Sequence, residues 1–227
     1  MTTTFRVLIS DSMSPRAEAI LKASAAIQVD VKPKITPEEL AEQIGSYRGL
    51  LVRSRTKVTA AIIARADHLD VIGRAGIGVD NIDIDAASKR GILVENAPTG
   101  NLVTTAEHAI CLLLSLARYI PQATASMKAG QWEKSAFQGR EISGKTLGLV
   151  GMGNIGRVVA DRAKGLKMEV IAHDPFASAE VAGKLGVELV SLDQLLTRAD
   201  AISVHTPLNA ETRGILGGGA FAKMKRG

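Results

Sequence analysis

Gly151-Met152-Gly153-Asn154-Ile155-Gly156, with Asp174 standing 18 residues beyond the last glycine, is the part of this chain where residue type and spacing speak most directly of chemistry. A Gly-x-Gly-x-x-Gly turn lets a backbone meet a diphosphate. The first glycine takes the tight turn, the second leaves no side chain in front of the phosphates, and the third lets a helix pack close to a strand. The free N–H groups and dipole of that helix favour negative charge at its start. An acid at the position of Asp174 accepts hydrogen bonds from a ribose and repels a 2′-phosphate. Pro175, Phe176 and Ala177 supply no arginine for such a phosphate, so NAD is favoured over NADP. The glycine spacing alone also fits a plain strand-to-helix connection or the related turn of a methyltransferase.

The elements around the turn supply the context. The run 145–150 is short and apolar, as a buried parallel strand requires, 154–166 continues as a helix, and 170–173 reads as the next strand. Gly151, Gly153, Asn154, Ile155, Gly156 and Asp174 are therefore candidate cofactor residues. Further strands are expected near 188–190 and 201–204. Upstream, strands fall at 7–9, 27–31, 49–52, 71–73 and 92–95, alternating with helices, the pattern of a parallel sheet covered on both faces. Ser14 before Pro15, and Thr36-Pro37 with Glu39 completing a capping box, mark two helix starts, and Gly91 closes a helix over 85–90. The turn-rich segment 96–101 breaks both periodicities. The fold class is thus α/β, with one domain over 1–99 and a second, dinucleotide-binding domain over 100–227.

A long helix is expected over 102–120. Its middle, 109–117, is apolar nearly all round, so it must be covered on most sides, either inside its own domain or between two subunits; a homodimer or tetramer follows from the second. Trp132, the one tryptophan, sits in a polar arm over 131–141, where an indole needs somewhere to dock.

Composition narrows the function classes. At 227 residues and 46 % hydrophobic, the chain can bury a real core. The net charge of +5 comes from scattered Lys and Arg with only 3 % aromatics, which argues against nucleic acid and fits an anionic small molecule or a solvated surface. A single cysteine, Cys111, allows neither an internal disulfide nor a cysteine-cluster metal site, and no metal-ligand spacing appears. No apolar run reaches the roughly 18 residues of a membrane span, and Met1 to Arg6 has no charged leader with an apolar core. A soluble cytoplasmic protein is expected.

Five blocks in order, 51–59, 73–83, 96–101, 132–156 and 204–208, resemble the D-isomer-specific 2-hydroxyacid dehydrogenases, and within them the branch acting on phosphoglycerate. The resemblance implies a flavodoxin-like parallel-sheet substrate domain, formed by the first hundred residues and a returning C-terminal segment. A Rossmann dinucleotide-binding domain, C-terminally incomplete in this chain, follows it. The implied reaction is NAD-dependent oxidation of a phosphorylated D-2-hydroxy acid, 3-phosphoglycerate to 3-phosphohydroxypyruvate, the first step of L-serine biosynthesis. By the same resemblance Arg53, Ser54, Arg74 and Gly76 would face the small anionic substrate. Ile77, Thr206 and Pro207 would join the cofactor residues, Asn154 and Ile155 acting through main-chain N–H groups, and Trp132 would pack into a neighbouring subunit. Relatives often carry threonine at the position of Ile77, so a hydroxyl contact is absent there. Arg53 and Arg74 are also readable as solvated or ion-paired surface arginines, and Ser54 and Thr206 as loop-end caps.

Oxidising a 2-hydroxy acid needs a cation for the carboxylate, a base for the hydroxyl proton and a nearby hydride acceptor. In the family the clamp is an arginine and the base a late histidine paired with a glutamate; all three are expected after Gly227, so no catalytic residue is assigned within the chain, which is expected to be inactive alone. His68, His108, His173 and His205 have no nearby acid in sequence arranged as a catalytic pair and read as capping or internally bonded histidines. The alternatives are a non-catalytic module that senses NAD(H) or presents a surface to a partner protein, and a related dehydrogenase acting on glyoxylate, hydroxypyruvate or lactate.

Overall fold

The computed structural model describes residues 4–226, which divide into two compact units, one ending at Asn101 and one beginning at Leu102. The first contains β1 (Phe5–Ile9), α1 (Pro15–Lys22), β2 (Ile27–Val31), α2 (Pro37–Gln43), β3 (Gly49–Val52), α3 (Ala60–Ala64), β4 (Val71–Arg74), α4 (Ile84–Lys89) and β5 (Leu93–Asn96). Its strands form one parallel sheet in the order β2-β1-β3-β4-β5, with Val7 opposite Gly49 and Gly49 opposite Val71. This is the flavodoxin-like order, and the chain reverses its direction of travel across the sheet between β1 and β3. Local signals start the helices as expected: Ser14 accepts from the Arg16 N–H, and Thr36 and Glu39 close a reciprocal capping box. Leu8, Leu40, Ile44, Leu50, Ile63 and Ile72 fill the core.

The second unit runs through α5 (Leu102–Ala117), α6 (Ile120–Lys128), β6 (Thr146–Val150), α7 (Asn154–Gly165), β7 (Glu169–His173), α8 (Ala179–Leu185), β8 (Glu188–Leu189), α9 (Leu192–Arg198), β9 (Ala201–Val204) and α10 (Gly218–Lys223). The parallel order is β8-β7-β6-β9, so the reversal here lies between β6 and β9. β6 is covered on both faces, as its unbroken apolar run requires. Leu147 and Leu149 pack with Ala106, Ile110, Val159 and Ala163 on one side, while Val150 meets Leu195 and Ala199 on the other.

The helix expected over 102–120 ends at Ala117, and a second helix that was not expected, α6, begins at Ile120, bent by 64° from the first. Proline supplies the reason. Pro121 has no N–H to offer the Ala117 carbonyl, so the helical ladder stops, and that carbonyl instead accepts from the Arg140 N–H at 2.8 Å. Tyr119 takes the left-handed conformation, φ 52°, at the break. Only Ala106 and Ile110 of α5 are fully buried; Val103, Leu112 and Leu116 are exposed, as is Trp132 at 76 %. No single helix among the described residues is long and apolar enough to cross a membrane.

Candidate functional site

The glycine turn follows β6 directly, and its three glycines have different surroundings. Gly151 adopts φ +97°, and a Cβ there would lie 2.8 Å from the His205 carbonyl carbon. A Cβ on Gly156 would fall 2.4 Å from the Gly151 carbonyl oxygen, so α7 and the turn touch through bare backbone. A Cβ on Gly153 would meet nothing within 4 Å. Two glycines thus serve packing, and the middle one keeps open the space in front of α7. Gly153 is also the N-cap of that helix and offers no side-chain cap. The first N–H groups of α7, beginning with Asn154 and Ile155, therefore have no intrahelical acceptor and carry the positive end of the dipole.

Asp174, just past β7, is fixed against this turn. One carboxylate oxygen accepts from the Met152 N–H at 2.7 Å and the other from the Phe176 N–H at 2.9 Å. Each oxygen keeps further lone-pair capacity for hydroxyl donors. From the other side, β9 pairs Val204 with Val150, which sets His205 and Thr206 beside Gly151. Pro207 follows in the exposed loop. His205 is half-buried, its Nε2 is 2.8 Å from Ser203 Oγ, and desolvation holds its pKa below the ordinary histidine value. His173 Nδ1 lies 3.2 Å from the Val190 carbonyl. No histidine among the described residues bonds a carboxylate. The donor set, the open middle glycine and the anchored acid fit a dinucleotide whose diphosphate meets backbone N–H groups and whose ribose meets Asp174.

In the first unit the remaining candidates gather at the same end of their sheet. Arg53 and Ser54 follow β3, and Gly76 and Ile77 follow β4, on either side of a strand pair next to the β1/β3 reversal. Arg53 and Ser54 are exposed; Arg53 Nη1 donates to the Ser12 carbonyl at 3.2 Å. The carbonyl of Gly76 accepts from the Ala97 N–H and that of Ile77 from Asn96 Nδ2, at 3.0 and 2.6 Å. Arg74 is placed differently. Its side chain is only 11 % exposed, its Nε donates to Asn81, and a Cβ on Gly76 would lie 2.5 Å from its Nη1. Gly76 is therefore the residue that makes room for Arg74 beneath the loop.

Sequence reasoning missed two residues here. Asp11, with a side chain 3 % exposed, accepts from the N–H groups of Arg53 and Thr56 at 2.6 and 3.2 Å and pairs with Arg55 Nε at 3.0 Å. Asn81 holds the carbonyls of the same two residues, at 2.7 Å for Arg53 and 2.6 Å for Thr56. The signal for Asp11 was an acid two residues past the C-terminal end of β1, beside the β1/β3 reversal, where a carboxylate is seldom buried without partners.

Residues 110–227 match the sequence model described as D-isomer specific 2-hydroxyacid dehydrogenase, NAD binding domain. Across 98 % of its length the chain is 49 % identical to D-3-phosphoglycerate dehydrogenase of Archaeoglobus fulgidus, of which it spans 42 %. Among solved structures, the TT0316 protein of Thermus thermophilus superposes with a TM-score of 0.89 at 34 % identity, covering 98 % of this chain and 71 % of that one. D-lactate dehydrogenase of Aquifex aeolicus, complexed with NAD and lactic acid, superposes at 0.85 with 25 % identity, covering 98 % and 66 %. A glycine turn with its anchored acid, a family model spanning that turn, and likeness continuing through the first unit converge on one conclusion: the chain belongs to the D-isomer specific 2-hydroxyacid dehydrogenases, and residues 110–227 carry that family's NAD-binding domain.

Proposed function

We propose that the protein oxidises a phosphorylated D-2-hydroxy acid with NAD, taking 3-phosphoglycerate to 3-phosphohydroxypyruvate at the entry to L-serine biosynthesis in the cytoplasm. The observation that carries this reading is that the 49 % identity to a D-3-phosphoglycerate dehydrogenase extends over 98 % of the chain, the Arg53-Ser54 loop as well as the glycine turn. Bound NAD supplies the hydride acceptor for the substrate carbon. The chain's own residues hold and orient. The N–H groups at the start of α7, those of Asn154 and Ile155 among them, take the diphosphate, and Gly153 keeps a side chain out of its way. Asp174 takes the ribose hydroxyls and rejects a 2′-phosphate. Thr206 and Pro207 border the cofactor after β9.

Arg53 and Ser54 offer a cation and a hydroxyl to the acid, with Gly76 beside them and Arg74 as a further positive charge. None of the four histidines has the carboxylate partner that would tune it as the base, so none of them is assigned the proton transfer. The exposed apolar side of α5, with Leu112 and Leu116 one helical turn apart, and the arm bearing Trp132 form the contact between subunits of a homo-oligomer.

The test is NADH formation by the protein with D-3-phosphoglycerate, glycerate and D-lactate, beside an Asp174→Ala control. Turnover that prefers the phosphorylated acid and collapses in the control supports the reading. Equal turnover of D-lactate, or NAD binding unchanged in the control, overturns it.

A further inference from the structure

We propose that Asn81 is a positioning residue that couples the two loops at the anion-facing end of the first sheet, setting where Arg53 and Ser54 point. The proposal rests on the reading of Arg53 and Ser54 as substrate contacts. Three of the four hydrogen-bonding capacities of the Asn81 amide are used. Its Nδ2 donates to the carbonyls of Arg53 at 2.7 Å and Thr56 at 2.6 Å, and its Oδ1 accepts from Arg74 Nε at 2.9 Å. The orientation of the amide follows from chemistry: carbonyls cannot donate and a guanidinium cannot accept, so only this arrangement satisfies all three partners.

Asp11 grips the same short loop from the other side through the N–H groups of Arg53 and Thr56. The backbone of residues 53 and 56 is thus held at both its donors and its acceptors, while the side chains of Arg53 and Ser54 stay exposed. Through Arg74, lying under Gly76, the same amide reaches the loop after β4. The backbone of residue 81 is tied separately: the Val58 N–H donates to the Asn81 carbonyl and Ile82 bridges Val58.

Asn81→Asp keeps the acceptor for Arg74 and turns the other two contacts into oxygen facing oxygen. In the full-length protein we expect the KM for D-3-phosphoglycerate to rise at least about tenfold, with kcat within about threefold, since a loop displaced by a fraction of an ångström loses orientation at this scale. The KM for NAD stays unchanged. Combined with Ser54→Ala and with Arg53→Ala, the effect is less than additive, which a general loss of stability would not produce. Where Asn81→Asp does not fold, Asn81→Ser is measured in the same way. An unchanged substrate KM in the Asn81 variant, alongside a raised KM in Arg53→Ala, overturns the positioning role alone. Unchanged KM in both Arg53→Ala and Ser54→Ala removes the reading beneath it, and the proposal with it.

Discussion

Substituting alanine at each glycine of the 151–156 turn separates the residues that build the turn from the one that keeps it open. At Gly156 the new Cβ lies 2.4 Å from the Gly151 carbonyl oxygen, where ordinary contact begins at 3.4 Å, so α7 must move about 1 Å from the turn. Overpacking of this kind costs about 1–3 kcal/mol. For a chain of this size that is a Tm lowered by roughly 2–12 °C. Gly151→Ala adds the cost of a side chain at φ +97°, about 1–2 kcal/mol, to contacts of 2.8 and 2.9 Å with His205. Gly153 stands apart. Its φ of −67° and ψ of −162° suit alanine, nothing lies within 4 Å of the added carbon, and the exchange at an N-cap costs about 1 kcal/mol at most. Yet the methyl would stand where the diphosphate must meet the start of α7. Losing one charge-assisted hydrogen bond, roughly 1.5–3 kcal/mol, weakens NAD binding about tenfold to a hundredfold. Thermal unfolding followed by circular dichroism, paired with calorimetric titration of NAD, reads both quantities. Gly153→Ala should keep a near-normal Tm and lose affinity, whereas Gly156→Ala should lose Tm. Wild-type affinity in Gly153→Ala, or an equal fall in Tm in both variants, would refute the division of roles.

Two further expectations concern stability and assembly. Tyr47 is buried, and burial first and then its 2.8 Å hydrogen bond to Asp30 push its pKa up from 10.0 to about 12. The unfolded chain ionises first, so this contribution is complete below pH 10 and disappears as pH rises through 12. Tyr47→Phe should lower stability below pH 10 by about 1 kcal/mol in urea unfolding and flatten the fall above it; identical slopes in both proteins would contradict the assignment. Leu116, 73 % exposed on α5, is expected at the subunit contact, so Leu116→Glu should raise the dimer dissociation constant at least about tenfold by analytical ultracentrifugation. An unaltered sedimentation profile would place the contact elsewhere.

The strands and the glycine turn were legible because each announces itself within a few adjacent residues: an apolar run, a capping box at Thr36 and Glu39, a fixed glycine spacing before Asn154. The end of α5 was legible to within three residues because Pro121 stops the pattern, but α6, which starts at that proline, was not. Asp11 and Asn81 were illegible for a different reason. Their partners stand at 53, 56 and 74, brought together only by the crossing of β1, β3 and β4, and an isolated Asp or Asn after a strand has many ordinary uses in turns. The burial of Arg74 beneath Gly76 was hidden likewise, since a sequence shows an arginine's charge and not which way its guanidinium lies.

The two-sided grip on residues 53 and 56 has a meaning for how such a protein changes over time. Asp11 and Asn81 bind only main-chain groups of Arg53, so the path of the loop is indifferent to what residues 53 and 54 carry as side chains. Frame and payload are separately heritable. A lineage, or an engineer, can trade the cation and hydroxyl at these two positions for other groups and explore new acids without first re-solving the fold of the loop that presents them.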